Sequence, residues 1–141
     1  MTTELHPLGF FLPENTRLLM LGSFPPPKAR WSMDFYSPNI QNDMWRILGL
    51  IFYGNKDAFL RDKKAFSEEK AKAFCREKGI GIGDTAMEVI RLKANASDKF
   101  LEVVRPIDPE KVLSQIPECV AIVVTGQKAM DTLLSVLPGT E

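Results

Sequence analysis

The sequence has no surplus of charge of either sign: 18 Lys and Arg stand against 18 Asp and Glu in 141 residues. A zero balance gives no global attraction to nucleic acid, so any such binding must use a local patch. Cysteine is scarce, and Cys75 and Cys119 are far apart, in neither a CxxC nor a zinc-ligand spacing. Both read as small buried hydrophobes in a reducing compartment. No apolar run reaches membrane-spanning length. The start, "MTTELHPLGFF", lacks the basic head and long apolar core of a secretion signal, which points to the cytoplasm. On that reading the "NAS" tripeptide at 95–97 is a chance match to the glycosylation pattern. Phosphate-binding GxxxxGK[ST] and GxGxxG patterns are missing too, as are repeats, low-complexity tracts and an interior linker. What remains is a single domain, 1–141, 45% apolar and large enough for a real core.

What is present alternates. "RLLML" (17–21), closed by Gly22, is a continuous apolar run, as expected of a strand covered on both faces. "WRILGLIFY" (45–53) reads as an amphipathic helix starting near Asn42 or Asp43. "SEEKAKAFCREK" (67–78) has a capping serine, acids in its first turn, bases late and Gly79 beyond its end, which predicts a helix. "IGIGD" (80–84) looks like a second strand, and "TAMEVIRLK" (85–93) after it reads as a helix. "DPEKVLSQI" (108–116) has a cap and a proline at the first helical position. "CVAIVVTG" (119–126) is the clearest strand, and "QKAMDTLLSVL" (127–137) a helix ended by Pro138 and Gly139. This order predicts an α/β domain with a parallel sheet, the strand at Leu18–Leu21 lying beside the other two.

Ligands of such sheets bind beyond the carboxyl ends of the strands. Three loops leave those ends: 22–27, 84–86 and 125–128. The first carries Pro25, Pro26 and Pro27, which have no N–H and so cannot cradle a phosphate. It can present Ser23 and Phe24 at a strand end. The segment beyond supplies Trp31, Phe35, Tyr36 and Trp45 as stacking faces, and Asn39, Gln41 and Asn42 as amides that both donate and accept. Stacking faces with amides suit a flat heteroaromatic ligand such as a nucleobase.

"LMLGSFPP", "FYSPNIQNDMW", "GIGDTA" and "VVTGQKA", in that order, resemble the uracil-DNA glycosylase superfamily, and most of all its hypoxanthine-DNA glycosylase-like branch. The resemblance runs from about Leu18 to Leu134. It implies a three-layer α/β/α fold with a short parallel sheet. The activity it implies is hydrolysis of the N-glycosidic bond of a deaminated base, uracil or hypoxanthine, in DNA base-excision repair. That chemistry needs neither metal nor cofactor; the partner is damaged DNA and the protein a monomer. Gly22, Ser23, Phe24 and Pro25 match the first motif. Ser23 stands where other members carry a water-activating Asn or Asp. The branch implicates an asparagine three residues before the tryptophan, here Asn42 before Trp45. Counted from Tyr36 the spacing is one residue longer, which keeps Asn39 as a lesser candidate. Gly126 and Lys128 match the base-facing turn after the third strand.

One motif has no counterpart: the His/Ser/Pro-rich loop near the C-terminus that wedges DNA. His6, the lone histidine, lies at the wrong end of the chain for it. The last strand of a four-stranded sheet is missing with it. The expectation is a domain incomplete at its C-terminus, with little or no base release by residues 1–141, although an inactive remnant fits as well. The rival function is a non-catalytic α/β module binding a nucleobase, a nucleotide or a protein. Each candidate also has a plain structural role: Asn42 and Asp84 as helix caps, Ser23 as a turn cap, Tyr36 and Trp45 as core aromatics. In the same vein Lys128 is a solvated base, His6 a surface or packing residue, and "KDAFLRDKK" (56–64) a solvated helix face.

Overall fold

A computed structural model describes residues 2–93 and 100–137; the tripeptide at 95–97 and the helix stop at Pro138 and Gly139 lie outside the described residues. In chain order the elements are β1 (Glu4–Leu5), β2 (Leu18–Gly22), α1 (Met44–Tyr53), β3 (Leu60–Asp62), β4 (Ala65–Phe66), α2 (Glu68–Lys78) and β5 (Ile80–Asp84). Then come β6 (Ala86–Arg91), β7 (Leu101–Pro106), α3 (Pro109–Ser114), β8 (Ala121–Val124) and α4 (Gln127–Leu134).

The central sheet has the order β5-β2-β8, all parallel, as the alternating pattern predicts. Leu18 stands opposite both Ile80 and Ala121, and Gly22 opposite Asp84. Side chains of a strand alternate between faces, and β2 divides its residues accordingly. Met20 joins Trp45, Phe59, Phe66, Phe74 and Ile82 in a core under α1 and α2. Leu19 and Leu21 join Ile107, Val112, Ile116 and Leu133 in a second core under α3 and α4. Three layers result, α/β/α.

Local signals act where the sequence places them. The Ser67 side chain accepts from the Lys70 N–H (3.2 Å), Gly79 closes α2 with φ +69°, and Asp108 caps α3 ahead of Pro109. One expectation fails. Residues 86–91 form a strand, not a helix, and pair antiparallel with β7; β1 adds on the other side, giving a second sheet β1-β6-β7. Register shifts between Ala86 and Val89 break the two-residue alternation, so the apolar spacing imitates a helix. The stretch 56–64 is not a helix face either: it is a turn entering the small hairpin β3-β4.

The N-terminal segment is stitched down at two points. The His6 N–H bonds to the Met87 carbonyl (2.8 Å), and Phe11 exchanges backbone bonds with Ile82 (2.9 Å each) along the outer edge of β5. Between these anchors the chain passes the carboxyl end of β5 and brings His6 there.

Candidate active site at the carboxyl edge of the sheet

A cleft of about 200 Å³ opens where β2, β5 and β8 end, and all three strand-end loops contribute to it. The first gives Ser23, Phe24, Pro25 and Pro26, the second Asp84 and the third Thr125; Tyr36, Ser37, Asn39 and Asn42 close the far wall. The proline loop is braced rather than free: Trp31 Nε1–H donates to the Pro26 carbonyl (2.8 Å). Ser37 sits at φ +48°, a conformation a non-glycine side chain seldom adopts.

Asp84 dominates the electrostatics. Its side chain is 10% exposed, and Oδ2 accepts from His6 Nε2 at 2.6 Å; His6 itself is 2% exposed. The Leu8 and Gly9 N–H groups both donate to His6 Nδ1 (3.2 and 3.0 Å). A nitrogen accepting two N–H bonds carries no proton, so these partners assign the neutral tautomer with its hydrogen on Nε2. Asp84 is then the anion and His6 its fixed donor. The other oxygen, Oδ1, lies over Gly22, and a Cβ at residue 22 would fall 2.7 Å from it. Glycine at the end of β2 is what lets the carboxylate lie across the strand.

Tyr36 lines the cleft, its ring packs against His6 and Phe35, and its hydroxyl donates to the Gly9 carbonyl. Burial, and then the nearby Asp84 charge, push that hydroxyl well above its ordinary range, so it remains a neutral donor. Asn42 is exposed at the rim. Its Oδ1 accepts from the Met44 N–H (3.0 Å) at the start of α1, and Asn39 Oδ1 accepts from the Gln41 N–H (3.1 Å). Each amide therefore spends its acceptor on the backbone.

Several residues expected at a binding surface lie elsewhere. Trp45 is fully buried, its Nε1–H bonded to the Tyr36 carbonyl (2.8 Å) and its ring packed on Phe35 and Phe59. Phe35 is core as well, and Trp31 faces a separate open groove with Ser32, Arg61 and Glu68. Lys128 lines another hollow, between β7 and α4. Gly22 lines a small cavity of about 20 Å³ beside the cleft rather than the cleft itself, and Gly126 is an exposed N-cap at φ +114° next to Thr125. The pair joined at the cleft end of β5, His6 and Asp84, reads from sequence as a surface or packing residue and a helix cap. No helix follows Asp84, so it caps nothing. Its position in the 84–86 loop was the available signal; the partner 78 residues away was not. Among the described residues no three His, Cys, Asp or Glu side chains gather as a metal site, and no helix is long and apolar enough to cross a membrane.

No family model matches the sequence, and no curated protein matches it. A solved structure does: the solution NMR structure of a candidate uracil DNA glycosylase from Methanosarcina acetivorans. It superposes with a TM-score of 0.65 at 26% identity, covering 91% of this chain and 76% of that one. The protein has a uracil-DNA glycosylase-like α/β fold, with its cleft where that fold's parallel strands end.

Proposed function

We propose that this protein is a DNA glycosylase of the hypoxanthine-DNA glycosylase-like branch, hydrolysing the N-glycosidic bond of a deaminated base, uracil or hypoxanthine, in base-excision repair. The observation that carries the reading is the likeness to a candidate uracil DNA glycosylase across 91% of the chain. The cleft agrees with it in size. At about 200 Å³ it lies below the roughly 300–1,000 Å³ of pockets for drug-sized ligands and suits one flipped base.

Extruding a base from a duplex costs roughly a few kcal/mol. Stacking on the aromatic faces of Phe24 and Tyr36 offsets part of this, at about 1–3 kcal/mol per stacked base. Pro25 and Pro26 keep that wall rigid. Gly126 leaves the β8 turn open, and Ser23 offers a hydroxyl at the end of β2. Asn39 and Asn42 present their Nδ2 ends, because their oxygens are engaged. Asn42 positions the attacking water through that amide. An amide has no useful basicity, so its part is geometric. Lys128, in its separate hollow, meets the DNA backbone rather than the base.

The test is single-turnover base release by the natural full-length protein, in excess over oligonucleotides carrying uracil, hypoxanthine or xanthine, single-stranded and opposite each base. The expected result is an abasic product above the protein-free rate for at least one lesion, lowered about 10²-fold by Asn42→Ala, as for loss of one preorganised group. Lesion binding with no release from any substrate would favour the non-catalytic nucleobase-binding module.

A further inference from the structure

We propose that Asp84 is the catalytic carboxylate of this site, taking the proton of the attacking water through Oδ1, and that His6 is the positioning residue that holds it. The inference rests on the glycosylase reading above and adds to it the group that accepts a proton.

Three observations carry it. Asp84 is nine-tenths buried yet lines the cleft, and one oxygen has a fixed partner while the other has none among the described residues. The second oxygen is not sealed from solvent, so it meets the cleft and can bond a water there. Beside Asp84 is a cavity of about 20 Å³, which shares Tyr36, Ser37, Asp84 and Thr125 with the cleft and is also lined by Gly22. One water needs roughly 10–15 Å³ and two or more polar partners; the Asp84 carboxylate and the Thr125 and Ser37 hydroxyls are candidates. Finally, two backbone N–H groups hold His6 Nδ1 in place, so Nε2–H can only donate.

The sign of the charge decides what Asp84 faces. When the C1′–N bond breaks, its electron pair leaves with the base and positive charge grows on the sugar. A carboxylate stabilises the sugar cation and opposes the departing anion. Asp84 is therefore assigned to the sugar and water side, not to the base edge. The water oxygen bonds to C1′, its proton passes to Asp84 Oδ1, and the base nitrogen takes a proton from solvent. Asp84 then returns its proton to solvent.

The experiment uses the natural full-length protein and two readouts. In the first, Asp84→Asn, which keeps shape and an acceptor for His6, should lower single-turnover base release about 10²-fold or more, the scale of general-base catalysis. Lesion-DNA affinity should hardly change. His6→Ala should lower the rate in the same way, and His6→Gln, whose amide can donate from near the Nε2 position, should restore most of it; a purely structural role would show no such rescue. In the second readout, oligonucleotides carry either a cationic pyrrolidine or a neutral tetrahydrofuran in place of the sugar. The wild type should bind the cation more tightly, and Asp84→Asn should lose that preference. If the wild type releases base and Asp84→Asn does so equally fast, or only changes which base is preferred, the proposal is overturned and the glycosylase reading stands. If the wild type releases nothing, the glycosylase reading fails. The second readout then decides: an Asp84-dependent preference for the cation upholds the carboxylate's placement, and equal binding of the two analogues overturns it.

Discussion

Replacing Gly22 by alanine puts a methyl group where the Asp84 carboxylate lies. The new Cβ would stand 2.7 Å from Oδ1, closer than real Cβ contacts come, so the carboxylate must retreat by at least a few tenths of an ångström. It cannot do so freely, because Oδ2 is held by His6 at 2.6 Å. Overpacking of this kind costs about 1–3 kcal/mol, and we place Gly22→Ala near 2 kcal/mol. Asp84→Ala alone should cost about 1–3 kcal/mol, because it strands the buried Nε2–H of His6. The two changes should not add. With Asp84 already truncated there is nothing to strike, and Gly22→Ala should cost close to zero. Urea denaturation of the four proteins closes a double-mutant cycle, provided each unfolds in one transition. An equal cost for Gly22→Ala in both backgrounds would refute the placement of Asp84 over the end of β2.

Two further expectations follow from the core. Trp45→Phe deletes a buried donor to the Tyr36 carbonyl and should cost about 1–3 kcal/mol in urea denaturation. It should leave lesion-DNA affinity intact, whereas a change in affinity with unchanged stability would return Trp45 to the binding surface. Burial pushes the Cys75 thiol from 9.0 up to about 12, with Arg76 pulling weakly the other way. The unfolded thiol ionises first, so this contribution is whole below pH 9 and is lost as pH rises toward 12. The loss should reach at most about 1.4 kcal/mol per pH unit. Cys75→Ala should flatten the fall in urea midpoint between pH 9 and 11, and an unchanged slope would contradict it.

The elements that could be read from sequence are those with local causes. Ser67, the acids after it and Gly79 fix α2 by capping and by a left-handed exit, each a property of a few adjacent residues. The unbroken apolar run of β2 signals coverage on both faces, and the two cores above and below it are what cover it. β6 reads as a helix in the sequence because its strand identity depends on β7, beyond residues 94–99, and on register shifts that blur its alternation. The candidate site divides the same way. The three strand-end loops follow from topology, and all three reach the cleft. The His6–Asp84 pair does not follow, because it requires the N-terminal segment to be laid across β5 by bonds to Met87 and Ile82. Trp45 shows the opposite error: a stacking face by composition, it is consumed by the core.

The most direct test of where this protein works is an amide chemical-shift map of the full chain, titrated with a lesion-bearing oligonucleotide and with its undamaged twin. Shifts specific to the lesion should centre on Ser23, Phe24, Asn39, Asn42, Asp84 and Thr125, at the carboxyl ends of β2, β5 and β8. Lesion-specific shifts centred instead on Ser32, Arg61 and Glu68, or on the Lys128 hollow, or indistinguishable between the two oligonucleotides, would contradict the account.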